Sequence, residues 1–260
     1  YGTIFRPSRM VTLYAVALSG ACLLIPIGTS TRTGLLCIIL LAVLILWRSK
    51  KRIQYGLGIM ALALVSIPFL PSAFTERMGT IQNYQGDQSA STRLEVWKWT
   101  LDYVKAHPLG GGFDAYRANR FEYDTLRTEG LPGHQRVYKE HIIEEGRAYH
   151  SAYFEMLGEQ GYFGLLLWLI IHFSGLYRME VLFRRYRDRD PDNDQWIGWL
   201  ANALQQAHLV YLVGSLFVGI AFQPFVYMLV GMQIGLDTYA KRRAGEAAWR
   251  PIGTNRLAPA

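Results

Sequence analysis

Long apolar segments separated by polar ones dominate the pattern of this chain. Several approach the roughly 20 residues that an α-helix needs to cross the hydrocarbon core of a bilayer. Six is the economical count, and we therefore predict an all-α integral membrane fold with about six transmembrane helices. The segments run from Met10 to Gly28, Thr33 to Trp47, Ile53 to Leu70, Gly161 to Tyr177, Trp196 to Phe222 and Phe225 to Tyr239.

A polar connection of 78 residues, from Ser72 to Tyr149, separates the third apolar segment from the fourth. Connections of this length are uncommon in compact proteins unless they are functional or disordered. The connection is rich in Trp, Tyr and Phe, whereas disordered segments contain few aromatic residues. We therefore expect a large ordered loop that contains short helices.

The positive charges indicate how the chain is oriented. It carries 27 Lys and Arg against 20 Asp and Glu, and sixteen of the 27 fall in four short segments that share one side of a six-span protein. Short loops rich in Lys and Arg remain cytoplasmic. The 78-residue loop and Arg32 then face the periplasm, and topology explains the excess charge without nucleic acid as a partner. The four segments are Arg6–Arg9, Arg48–Arg52, Arg178–Arg189 and Lys241–Arg256.

These patterns divide the chain into four parts. We expect three transmembrane helices in residues 1–71, the periplasmic loop in 72–149, a periplasmic helix with three further transmembrane helices in 150–240, and a cytoplasmic tail in 241–260. The chain begins at Tyr1 without signal-peptide features, which is typical of the carboxy-terminal part of a longer protein whose amino-terminal spans are missing. Cys22 and Cys37 both lie in apolar segments, so no disulfide is expected.

Polar residues inside the fifth segment are the exception to its apolar character. Gln205, Gln206 and His208 lie within it. Polar side chains at membrane depth almost always face the interior of a helix bundle. We expect these three residues to do so.

The loop contains a helix-start pattern, Thr92-Arg93-Leu94-Glu95. In a capping box the hydroxyl of Thr92 caps the helix and Glu95 reaches back, which makes Arg93 the first helical residue. Free amides and a guanidinium would then converge on one place, an arrangement that favours phosphate. The alternative is that Arg93 stacks on Trp97 or pairs with a nearby acid. The helix is expected to end before Pro108.

Outside this helix, two further places each have a functional and a structural interpretation. Gly110, Gly111 and Gly112 could form a second cradle of backbone amides, or simply a flexible turn. Arg32 lies at the start of a short apolar segment, where it either reaches the interface as an anchor or binds a ligand.

An amphipathic stretch that begins at His150 leads into the fourth apolar segment, which places this histidine beside a membrane surface. Imidazole titrates near neutrality and can take a proton from an alcohol, although an interfacial histidine can also be structural. The other histidines show no helix-face spacing with a suitable third ligand, so no catalytic zinc site is expected. They are His107, His134, His141, His172 and His208.

The region from Met78 to Gly164 resembles the O-antigen ligase and polymerase family of bacterial membrane glycosyltransferases. The motif is His followed by Asn, Ser or Gln, then nine residues, Gly, two residues, and Gly, Thr or Tyr. Its positions here are His150, Ser151, Gly161 and Gly164. Three flanking stretches look more like the O-glycosylation ligases associated with exosortase systems: Met78–Gln85, Ser91–Trp97 and Pro108–Phe113.

The resemblance implies an inverting, metal-independent transfer of a glycan from a polyprenyl-diphosphate carrier to an acceptor hydroxyl on lipid A core or protein. The reaction would occur at the periplasmic face of the bacterial inner membrane and need no cofactor. His150 would be the general base, and Arg32 and Arg93 would engage the diphosphate. Two alternatives remain: a polysaccharide polymerase using the same donor, and a non-catalytic subunit of a surface-polysaccharide export system.

Overall fold

The computed structural model describes residues 8–29, 31–66, 88–129, 136–189 and 194–248. Helices dominate the described residues. The helices are α1 (Arg9–Gly28), α2 (Arg32–Arg48), α3 (Arg52–Ser66), α4 (Gln88–Ala106), α5 (Ala152–Tyr186), α6 (Gln195–Gly214) and α7 (Pro224–Ala248), and the strands are β1 (Arg120–Glu129) and β2 (Arg136–Glu145).

Each of the six apolar segments overlaps one of these helices. Among the described residues, α1 and α5 are long and apolar enough to cross a membrane. The sequence predicted a fifth span through Phe222, but α6 ends at Gly214 and the apolar residues 215–223 form a loop. At the other end of the chain, α7 continues to Ala248, into the stretch that the sequence assigns to the tail.

The prediction of a helical fold is confirmed for most of the described residues. It is wrong in one place, because β1 and β2 form an antiparallel hairpin within the long loop. Tyr123 on β1 is buried, and its hydroxyl lies 2.7 Å from the Oγ1 of Thr92 on α4. Alternation of Phe121 and Tyr123 with charged residues is the strand signal that was present in the sequence. The hairpin forms because one face of β1 packs against α4.

The predicted capping box at Thr92 is also wrong. Helix α4 is described from Gln88, so Thr92 lies in its second turn and its hydroxyl bonds to β1 instead of capping a helix. Val96, Thr100 and Val104 follow at helical spacing and are fully buried, which gives the helix its packed face. The helix ends at Ala106, just before Pro108, as the sequence predicted.

Helix α5 is bent at Gly161, where φ is 66° and ψ is −167°. The bend separates a first segment, residues 152–160, from the long apolar second segment. The loop after α4 packs against this bend through three backbone hydrogen bonds. They join Tyr162 N to Pro108 O at 3.0 Å, Gly111 N to Gly158 O at 2.9 Å and Gly112 N to Glu159 O at 3.0 Å.

The described chain divides into two compact units. One contains α1 to α4, the hairpin, α5 as far as Ile170, and residues 209–223. The other contains residues 171–208 and α7. Its apolar core is built from Met179, Leu182, Phe183, Tyr186, Ile197, Ala201, Leu204, Leu229, Leu236 and Ala240.

This second unit also contains a buried polar chain. His172 Nδ1 lies 2.6 Å from His208 Nε2, and His208 Nδ1 lies 3.0–3.1 Å from the side-chain amide of Gln233. Gln205 donates to the carbonyl oxygen of Leu176 at 3.0 Å. Gln205 and His208 are buried and Gln206 is partly buried, so the prediction that they face the interior is confirmed.

Candidate active site

His150 has an uncommon backbone conformation. Its φ is 51°, in the left-handed region. Two other non-glycine residues of the described chain, Asp114 and Asp194, also have a positive φ. Left-handed backbone costs a non-glycine residue about 1–3 kcal/mol and persists only where surrounding structure fixes it. The neighbours of His150 are Tyr149 and Ser151, 2% and 1% exposed, whereas His150 itself is exposed. The two buried neighbours therefore present its imidazole outward.

The peptide on the amino-terminal side of His150 is held by α4. The indole Nε1 of Trp97 donates to the carbonyl oxygen of Tyr149 at 2.8 Å. The same indole stacks on Phe154 in the first turn of α5, with ring centroids 4.8 Å apart and planes 4° from parallel. Trp97 thus joins α4, the peptide before His150 and the start of α5.

On the carboxy-terminal side, the contacts come from the end of α6 and from the loop that follows it. Ala152 N donates to the carbonyl oxygen of Ser215 at 2.8 Å. One residue later, the hydroxyl of Tyr153 donates to the carbonyl oxygen of Leu212 at 3.1 Å. Contacts on both sides of His150 therefore come from distant parts of the chain.

Arg93 lies one helical turn before Trp97 on the same side of α4, which brings its guanidinium near His150. The pKa of the His150 imidazole is below its ordinary value, first because the ring is partly desolvated and then because of the positive charges of Arg93 and Arg147. A lowered pKa keeps the imidazole neutral near pH 7, the form that accepts a proton.

The guanidinium of Arg93 has a buried donor. Its Nε has no hydrogen-bond partner among the described residues. Buried donors are nearly always satisfied, and an exception requires an explanation such as a ligand. The sequence left open that Arg93 stacks on Trp97. One face of the Trp97 indole is already covered by Phe154. The structure therefore brings Arg93 and His150 together.

Arg32 is the first residue of α2. Five residues later, Cys37 Sγ lies 3.9 Å from the carbonyl oxygen of Val210, near the end of α6. Ser215, which holds the start of α5, follows five residues after Val210. Five residues of helix span only about 7.5 Å. Arg32 therefore lies at the end of α2 that packs beside the segment holding His150 in place.

The predicted amide cradle at Gly110–Gly112 is wrong, and so is the flexible turn. Gly110 N donates to His107 O at 2.8 Å, while Gly111 and Gly112 donate to α5. A Cβ on Gly110 would overlap the carbonyl of Glu159. Gly110 is needed because this loop approaches the backbone of α5 closely, and the amides of all three glycines are occupied by protein carbonyls.

The remaining motif residues shape the chain around the bend. Gly161 requires its positive φ, and a Cβ there would overlap Pro108 O. A Cβ on Gly164 would overlap the side chain of Gln160. Ser151 is buried, and its carbonyl oxygen accepts from Glu155 N at 2.9 Å, which opens α5. These residues build the site without presenting groups to it.

Sequence reasoning missed two carboxylates one turn apart on the first segment of α5. Glu155 Oε2 accepts from Ala221 N at 2.8 Å, and Glu159 Oε1 accepts from Asp114 N at 3.1 Å. Each side chain therefore fastens one loop to α5. Their spacing of four residues on an otherwise apolar helix is the signal that could have identified them. The described residues contain no cluster of three His, Cys, Asp or Glu able to hold a metal.

The chain was compared with models of known protein families. The family model for O-antigen ligase matches residues 14–169, more than half of the chain. The chain belongs to the O-antigen ligase family. Members are membrane-embedded, and membership implies glycosyltransferase-type activity in glycan biosynthesis. No curated protein and no solved structure matches the chain.

The matched region contains the candidate site described above, except for the residues of α6 and of the loop after it. Arg32, Arg93 and His150 all lie within residues 14–169, as does the bend at Gly161. Ser215 and Ala221, which hold the start of α5, lie outside it. The site is therefore completed by a segment beyond the matched region.

Proposed function

We propose that this O-antigen ligase family member transfers a glycan from a polyprenyl-diphosphate carrier to an acceptor hydroxyl, with inversion at the anomeric carbon and without a metal. His150 acts as the general base, and Arg93 and Arg32 bind the diphosphate. The reaction takes place at the periplasmic face of the inner membrane. The acceptor is lipid A core or, as the likeness to exosortase-associated ligases suggests, protein.

In the proposed step the acceptor oxygen forms a bond to the anomeric carbon as its proton passes to the imidazole of His150. The bond between that carbon and the diphosphate oxygen breaks, and the polyprenyl diphosphate leaves with the electron pair. Negative charge develops on its oxygens, so a fixed guanidinium lowers the barrier. The imidazolium then releases its proton to water.

The observation that carries this proposal is that Arg93 and His150 lie near each other. The imidazole is kept neutral by its surroundings, and beside it a cation has a buried Nε donor with no partner among the described residues. Base and anion-binding group thus stand together, as a displacement with an anionic leaving group requires.

The test is glycan transfer by the purified full chain in nanodiscs, supplied with a polyprenyl-diphosphate-linked oligosaccharide and candidate acceptors. We expect His150→Ala and Arg93→Ala to lower turnover about 100-fold or more, since removing a general base or a charge-stabilising donor typically costs this much. Arg32→Ala is expected to raise the KM for donor and to lower turnover.

Two matched variants serve as controls. His107→Ala removes another exposed histidine, which stacks on Tyr103, and Arg120→Ala removes an exposed arginine paired with Glu145. Both should retain turnover within a few-fold. Folded His150→Ala protein with normal turnover would contradict the proposal. Ladders of lengthened, unattached glycan would identify a polymerase, and a wild-type chain that never consumes donor would indicate a non-catalytic subunit.

A further inference from the structure

The loop after α6 is apolar and yet not helical. Residues 215–223 read Ser-Leu-Phe-Val-Gly-Ile-Ala-Phe-Gln, and Leu216 and Val218 expose much of their side chains. Non-helical backbone next to lipid is tolerated only where its polar groups find protein partners. Here Ala221 N donates to Glu155, and the hydroxyl of Tyr211 donates to the carbonyl oxygen of Ile220 at 3.2 Å. The loop is therefore fixed by protein partners, while the side chains of Leu216 and Val218 stay exposed.

A second loop exposes apolar side chains in the same unit. Leu109 and Phe113, from the loop after α4, are 77% and 74% exposed. The ring of Phe113 packs edge-on against Phe222 of the first loop, with centroids 5.1 Å apart. The two loops thus meet, and together they expose four apolar residues, which we call the collar: Leu109, Phe113, Leu216 and Val218.

Helix α5 fixes the level of the collar. The loop that carries Leu109 and Phe113 is bonded to α5 at Gly158, Glu159 and Tyr162. Before that level no side chain of α5 is fully exposed, and Glu155 and Glu159 each bond to one of the two loops. After it, Phe163, Leu166 and Ile170 form an exposed apolar stripe at helical spacing. The collar therefore lies where α5 passes from a segment covered by protein to an exposed apolar stripe, and exposed apolar surface on a spanning helix begins at the membrane interface.

We propose that the collar inserts into the membrane interface on the side of His150 and holds the active site at the depth of the lipid headgroups. Acyl chains are the occupant that fits, because the collar continues the exposed apolar stripe of a membrane-length helix in a membrane-embedded family. A diphosphate-linked lipid carries its diphosphate at that depth. The inference concerns membrane contact and does not depend on the reaction proposed above.

The experiment places a nitroxide at single cysteines in a background of Cys22→Ser and Cys37→Ala, which removes both native thiols. Leu109→Cys, Phe113→Cys and Leu216→Cys sample both loops of the collar. The labelled chains are studied in nanodiscs of phosphatidylcholine and phosphatidylglycerol, without glycan donor. Collision with oxygen, which concentrates in lipid, is compared with collision with a water-soluble nickel chelate.

Two further positions calibrate the result. Phe163→Cys reports the apolar stripe of α5, and Ile143→Cys reports an exposed apolar residue on β2 of the hairpin. We expect the collar labels to show an oxygen-to-nickel ratio several-fold above that of position 143 and below that of position 163. Ratios equal to that of position 143 would overturn the proposal. Protection from both reagents would also overturn it, since protein would then cover the collar.

Discussion

The pKa of His150 depends on charges that change during the proposed reaction. Arg93 and Arg147 lower this pKa in the free protein. A bound diphosphate would neutralise Arg93 and so raise the pKa of His150 just as it must accept a proton. The proposed donor would therefore strengthen its own general base.

Arg147 offers a test of this electrostatic effect outside the diphosphate site. Its guanidinium pairs with Glu144 at 2.6 Å and still lowers the pKa of His150. Neutralising it in Arg147→Gln raises that pKa, so the deprotonated imidazole appears only at higher pH. The acid limb of the pH profile of kcat/KM should move to higher pH. Arg120→Gln, which removes an exposed arginine paired with Glu145, is the control and should leave the limb in place. A limb that stays fixed in Arg147→Gln, or moves to lower pH, contradicts the expectation.

Sequence could identify the candidate site residues but not their surroundings. His150 and Arg93 were found because their side chains suit the proposed chemistry and stand in the stretches that carry the family resemblance. The bond from Trp97 to Tyr149 joins residues 52 apart, and the bond from Ala152 to Ser215 joins residues 63 apart. Such contacts depend on how helices pack, which no local pattern encodes.

At the scale of elements, the loop after α4 and the bend in α5 form one structural part. Glycines that looked like an anion cradle are instead the surface where two backbones meet. The capping pattern at Thr92 predicted the wrong helix start, because a hydroxyl and an acid three residues apart also occur inside helices. Tertiary packing against Tyr123 decided which role Thr92 has.

Gly161→Ala tests whether the contact between the loop after α4 and the bend in α5, which we call the joint, stabilises the fold. Alanine disfavours a φ of 66°, and its Cβ would overlap Pro108 O. We expect a loss of roughly 1–3 kcal/mol, and a fall in Tm of at least about 2–4 °C for each kcal/mol, measured by thermal unfolding in detergent. Gly231→Ala on α7, where a Cβ meets nothing within 4 Å, is the matched control. An equal Tm for both variants would show that the joint does not matter.

For the whole molecule, a helix among the described residues overlaps each of the six segments that apolar patterning predicted, whereas the hairpin was missed. Helices follow from a local periodicity, whereas β1 and β2 are stabilised by pairing and by contact with α4. The two compact units also have different interiors. One encloses the candidate site, and the other is an apolar core that contains the chain of His172, His208 and Gln233.

His208→Ala tests how much that chain stabilises the second unit. It leaves polar atoms of His172 and Gln233 buried without the ring between them. We expect a loss of about 1–3 kcal/mol for each group left unsatisfied, seen as a lower Tm in nanodiscs. His208→Gln can keep one of the two hydrogen bonds, so its Tm should lie between those of the wild type and His208→Ala. Wild-type stability in His208→Ala would show that the chain contributes nothing.

The two hydrogen bonds that flank His150 have a consequence for biosynthesis. One comes from α4, made before His150, and the other from Ser215, made well after it. The left-handed backbone at position 150 cannot be fixed from both sides until the ribosome has passed residue 215. A chain still being inserted therefore carries the histidine without both of the contacts that fix its backbone.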